Sequence, residues 1–72
     1  MRVGDLVVLS AKGHKLQRNW RIVGAIGIVL EVIEYYSYYD YRIRWTTTKG
    51  GLRNYDSFML RYELKYLKAK KN

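Results

Sequence analysis

Cysteine and proline are absent from this chain of 72 residues, and histidine occurs once, as His14. Without cysteine there is neither a disulfide framework nor a thiolate metal site. A lone histidine excludes a His-pair metal site within one chain. No apolar run approaches the ~20 residues of a membrane-spanning helix, and Met1-Arg2-Val3-Gly4-Asp5 lacks the pattern of a signal peptide. The expectation is a cytoplasmic protein, or one carried in a virion or the cytoplasm of an infected cell, with no membrane contact. Acidic residues are also scarce. Asp5, Glu31, Glu34, Asp40, Asp56 and Glu63 lie far apart in sequence, and Ser10, Ser37 and Ser57 have no evident base beside them. The chain therefore reads as non-enzymatic, with no catalytic residue, no metal and no cofactor.

What is present is positive charge and aromatic surface. Fourteen Lys and Arg against six Asp and Glu leave a net charge of +8. The isoelectric point near 9.9 passes the rough threshold of about 9 for nucleic-acid-binding domains. Part of the excess sits at the end of the chain, in Arg61, Lys65, Lys68, Lys70 and Lys71. A chain this short buries only about 60% of the surface its unfolded form exposes, so its core is small. The hydrophobic fraction of 49% is enough for packing to hold it, and oligomerisation is a further source of stability.

The apolar periodicity is that of strands. Leu6 to Leu9 is a short apolar run suited to a first strand, and the polar, basic stretch from Ser10 to Arg21 reads as a long loop. From Ile22 to Ile33 the chain is rich in β-branched residues and apolar on both faces, as expected of a strand that bends and serves two sheets. Gly24 and Gly27 within it argue for a bend or a close backbone approach. Tyr41 to Thr47 alternates cleanly, with Tyr41, Ile43 and Trp45 on one face and Arg42, Arg44 and Thr46 on the other. Lys49-Gly50-Gly51 is a turn signal, and Leu52 to Tyr55 can form a short fourth strand. Asp56 or Ser57 can cap a single helical turn running through Met59. Leu60 to Leu67 alternates again and reads as the last strand, with Leu60, Tyr62, Leu64 and Tyr66 opposite Arg61, Glu63 and Lys65, and its continuation to Lys71 can instead form a short helix. The expected core is Val7, Leu9, Ile28, Val29, Val32, Ile43, Trp45, Leu52, Phe58, Leu60 and Leu64, with Trp20 folded back to cap it. One domain over residues 1–67 is expected, followed by a basic, disordered tail over 68–72.

Five short strands, a long first loop and one short helical turn before the last strand give an all-β fold, a small five-stranded SH3-like barrel. Val3-Gly4-Asp5-Leu6-Val7, the run from Gly24 to Val32, Tyr41-Arg42-Ile43-Arg44-Trp45 and Tyr55 with the run from Phe58 to Leu64 resemble the SH3-like, KOW-like barrel group. That group includes KOW domains of ribosomal proteins and transcription elongation factors, the small SH3-like subunit of photosystem I and small phage proteins. The resemblance implies a fold and a choice among RNA, protein or a larger assembly as partner. The chain departs from a KOW motif in the connection that follows Glu34.

In that connection, five of the seven residues from Tyr35 to Tyr41 are tyrosines: Tyr35, Tyr36, Tyr38, Tyr39 and Tyr41. A hairpin tip is more often built of Gly, Asn, Asp or Pro. Tyrosine offers a flat apolar face and a hydroxyl at the cost of ordering two torsions, which suits a contact surface. Bases stack on such faces with little sequence preference. Tyr35, Tyr36, Tyr38 and Tyr39 are the stacking candidates, and Arg42 and Arg44 project beside them towards phosphate. The first loop supplies Lys12, Lys15, Arg18 and Arg21, and Lys49 and Arg53 flank the glycine turn, where backbone N–H groups can receive an anion. Glu34 and Asp40 bracket the rings and repel phosphate locally. The residues thus point to a module for RNA or single strands with low sequence specificity. The alternative is a small docking or assembly subunit, of phage type, that uses the same tyrosines as a protein interface.

Overall fold

A computed structural model describes residues 1–35, 37–46 and 55–67. The glycine turn, Leu52 and the terminal tail lie outside these residues, as do Tyr36, Lys49 and Arg53 of the candidate site. Five strands, β1 (Leu6–Leu9), β2 (Ile26–Val32), β3 (Tyr41–Thr46), β4 (Tyr55–Met59) and β5 (Leu64–Tyr66), form one antiparallel sheet in the order β4-β3-β2-β1-β5. A 3-10 turn over Arg61–Glu63 precedes β5. The expected all-β, five-stranded fold with a short helical turn before the last strand is therefore present. No ladder joins the edge strands β4 and β5 among the described residues. No helix among them is long and apolar enough to cross a membrane.

β2 is the strand shared by both halves. It pairs with β1 through Gly27 and Ile28, and with β3 along its whole length, with a bulge between Val29 and Glu31. Gly27 stands opposite Trp45, and a Cβ placed there would lie 2.5 Å from the Ile43 Cγ2 and 2.9 Å from the Trp45 Cε3. The glycine is the space into which the indole packs. Gly24 holds φ at +82°, a left-handed turn into β2 that glycine adopts without strain.

The inward faces supply Val7 and Leu9 from β1, Val29 from β2, Ile43 and Trp45 from β3, Met59 from β4 and Leu64 from β5. Ile22 and Ala25 close the core from the connection before β2. Six of the expected core residues are fully buried, and Ile28, Val32 and Leu60 are half-buried. The Trp45 Nε1–H donates to the Ser57 Oγ at 2.9 Å, so the indole's polar atom is satisfied inside.

Several expectations are corrected. The segment after β1 is not a long loop. Ser10 caps a five-residue helix, α1 (Ala11–Lys15), by accepting the Gly13 N–H at 3.1 Å, and a 3-10 helix follows over Gln17–Ile22. Tertiary contact sets these turns. Gly13 is buried so closely on Glu63 that a Cβ would sit 2.3 Å from the Glu63 carbonyl oxygen. The first strand-rich stretch narrows to Ile26–Val32 because Gln17–Ile22 winds as 3-10 helix. Asp56 to Met59 is not a helical turn but strand β4, because Asp56 faces Arg44 and Ser57 faces Ile43 across the ladder. The turn falls at Arg61–Glu63 instead, and the last strand shortens to Leu64–Tyr66. That turn shifts the phase of the expected alternation, leaving Glu63 fully buried and Tyr62 exposed. Phe58 is not core. It lies on the outer side of the edge strand, 51% exposed. Trp20 is not a cap. It is 53% exposed, with the Arg21 guanidinium 4.9 Å above its ring.

Candidate nucleic-acid interface

The 3-10 helix after α1 is held to the turn before β5 by a buried carboxylate. Glu63 is inaccessible to solvent. Its Oε1 accepts from the Arg18 Nη2 at 2.7 Å and from the Asn19 Nδ2 at 3.1 Å, and its Oε2 accepts from the Leu60 N–H at 2.7 Å. Asn19 also donates to the Gly13 carbonyl, which ties α1 into the same knot. A buried charge costs free energy unless it is paired and hydrogen-bonded, and here both carboxylate oxygens are served. The Glu63 hydrogen bond raises the Arg18 pKa above its ordinary value, partly offset by desolvation. About half of the Arg18 side chain remains exposed to solvent.

Arg18 and Arg21 line a groove of ≈ 200 Å³ together with Ile22, Tyr39, Tyr55, Phe58 and Met59. Its aromatic residues continue into neighbouring rings. The Tyr39 ring lies 6.0 Å from Phe58 and tilted by 32°, and Tyr38 meets Tyr39 edge-on at 5.0 Å. Tyr38 is 70% exposed and Tyr35 is also open to solvent. Three rings in a row beside two guanidinium groups form a surface on which a base can stack while phosphate is met by charge.

The structure divides the predicted site. Arg18, Arg21 and Tyr39 converge on the groove, and Tyr38 extends it. Tyr35 is exposed in the same connection. Lys12 and Lys15 are exposed on α1 and do not line the groove. Arg42 and Arg44 lie on the outer face of β3, as expected, but each meets a carboxylate. Arg44 forms a two-pronged pair with Asp56, at 2.8 and 3.2 Å. The hydrogen bond from Arg44 holds the Asp56 carboxyl below its ordinary pKa, and the same contact raises that of Arg44. Arg42 Nε lies 3.8 Å from Glu31 Oε1. Neither acid is adjacent in sequence to the arginine it pairs with, so both pairs depend on strand register. Asp40 accepts the Arg61 N–H at 2.8 Å, so that carboxylate serves the chain's own backbone.

Tyr55, Phe58 and the Asn19–Glu63 support escaped the sequence reading. Phe58 and Tyr55 carried a signal, since Tyr55 to Met59 can be read as an alternating strand. Glu63 carried none, because its burial follows from the turn. Compared with known proteins, the chain matches no family model, no curated protein and no solved structure.

Proposed function

We propose that the chain is a non-enzymatic module that binds RNA or single strands with low sequence specificity. The groove between the 3-10 helix and the edge of the sheet would be its contact. Arg21 and the open side of Arg18 meet the backbone; Tyr38, Tyr39 and Phe58 stack bases. The observation that supports this most is the convergence of two arginines from one end of the chain with three aromatic residues from two other segments. A second reading, a protein-docking role for the same rings, draws support from the pairing of Arg42 with Glu31 and of Arg44 with Asp56, which leaves less free charge beside them.

A salt titration separates the two. The test is fluorescence anisotropy with a labelled oligouridine at several salt concentrations. Affinity on single strands should fall with a log–log slope near −0.7 per contacted phosphate. Arg21→Ala should flatten that slope by about 0.7. Tyr39→Ala should weaken binding about 5- to 150-fold, the equivalent of about 1–3 kcal/mol for one lost stack, without changing the slope. No binding by the folded wild type, or binding indifferent to salt, refutes the assignment.

A further inference from the structure

The outer face of β1 and β2 is aliphatic where a solvated antiparallel sheet is polar. Leu6 stands opposite Ile28, and register places Val8 beside Ile26. On the other side of β1, Val8 pairs with Lys65, and the Leu67 N–H donates to the Leu6 carbonyl. Two rows therefore cross three strands: Leu67–Leu6–Ile28 and Lys65–Val8–Ile26. Leu6 is 49% exposed and Ile26 41%, although their neighbours Val7 and Gly27 are buried on the opposite face. At the β5 end the patch opens into a groove of ≈ 590 Å³ lined by Val8, Arg61, Lys65, Tyr66 and Leu67.

We propose that this face docks an amphipathic helix of another protein, with an aliphatic stripe flanked by acidic residues. Three strands at a spacing of about 4.8 Å span a width close to the ~10 Å diameter of a helix, and helix on sheet is a standard way to bury such a face. Strand addition fits less well. At the β5 edge, the Arg61 Nη1–H occupies the Leu64 carbonyl at 3.0 Å, and the Leu64 N–H is already bonded to the Arg61 carbonyl. Charge selects the flanks. Arg61 and Lys65 border the groove without a carboxylate partner among the described residues, while the outer-face acids Asp56 and Glu31 lie beside Arg44 at 2.8 Å and Arg42 at 3.8 Å. Charge also argues against a second copy, since each chain carries +8. This surface is separate from the tyrosine groove and does not depend on the function proposed for it.

The test uses the full chain and two synthetic helical peptides with the same leucine stripe, one flanked by glutamate and one by lysine. Methyl NMR should show the glutamate peptide shifting Leu6, Val8, Ile26, Ile28 and Leu67, with the Tyr38–Tyr39 connection unmoved. Leu6→Ser with Ile26→Ser should weaken that peptide at least tenfold and leave oligouridine binding unchanged. Should the double variant lose its fold, Lys65→Glu alone carries the test: it should weaken the glutamate peptide and strengthen the lysine one. The proposal is overturned by any of four results. These are equal binding of both peptides, shifts confined to the tyrosine groove, a concentration-dependent dimer in sedimentation that Leu6→Ser dissolves, or anionic vesicles occupying this face while the peptide does not.

Discussion

Glu63→Gln tests the joint on which the groove is built. The side chain keeps its shape but loses its charge and one of its two acceptor atoms. In the native chain Oε1 faces Arg18 and Asn19 while Oε2 faces the Leu60 N–H. Whichever way the amide turns, its NH2 meets a donor. A hydrogen bond to a charged group is worth about 1.5–3 kcal/mol, and a buried donor left unmatched costs about 1–3 kcal/mol. Some relaxation is available through Arg18, whose side chain is about half exposed. A net loss of about 2–4 kcal/mol is expected, a large part of the stability of a small domain. At about 4–8 °C per kcal/mol for this chain length, the melting temperature should drop by roughly 8–30 °C. The assay is urea unfolding followed by tryptophan fluorescence, together with a thermal scan by circular dichroism. Arg18→Ala and the double variant complete a cycle, and their effects should be strongly non-additive because both side chains belong to one network. A melting temperature within a few degrees of wild type, or additive effects, would mean that the carboxylate is not the joint described.

Two further outcomes follow from the core and from charge. Gly27→Ala should destabilise by about 1–3 kcal/mol through overpacking, because the new methyl falls 2.5 Å from Ile43; urea midpoints check this, and a neutral or stabilised variant would show that the sheet yields there. The Asp56 carboxyl is held below its ordinary value of 3.8 by Arg44, so the pair's contribution is complete above that value and is lost as the pH falls through the lower folded-state pKa. Arg44→Ala should lower the melting temperature at neutral pH, and the difference from wild type should shrink as the pH falls below the ordinary carboxylate range. An equal difference at neutral and acid pH would dissociate Asp56 from the effect.

Strand β3 was legible because its alternation is local: Ile43 and Trp45 point one way and Arg42 and Arg44 the other, whatever lies beside them. β2 was legible from its β-branched content, and its apolar content on both faces was visible too. Its meaning was not. One face packs into the core through Val29, while Ile26 on the other remains largely open, and only register with Leu6 and Val8 turns that into a continuous patch. The tyrosine connection stood out by composition. That Tyr39 lines one groove with Arg18 and Arg21 did not, since the two segments meet only after the sheet forms.

The order of apolar and polar residues along the chain thus determined that it would be a small all-β protein with a basic, tyrosine-bearing surface, because strand alternation and net charge are properties of neighbours and sums. The tertiary structure decided which charges remain free. A carboxylate such as Glu63 or Asp56 chooses its arginine across a turn or a ladder, and the distance over which that pairing acts is set by packing and not by position in the sequence.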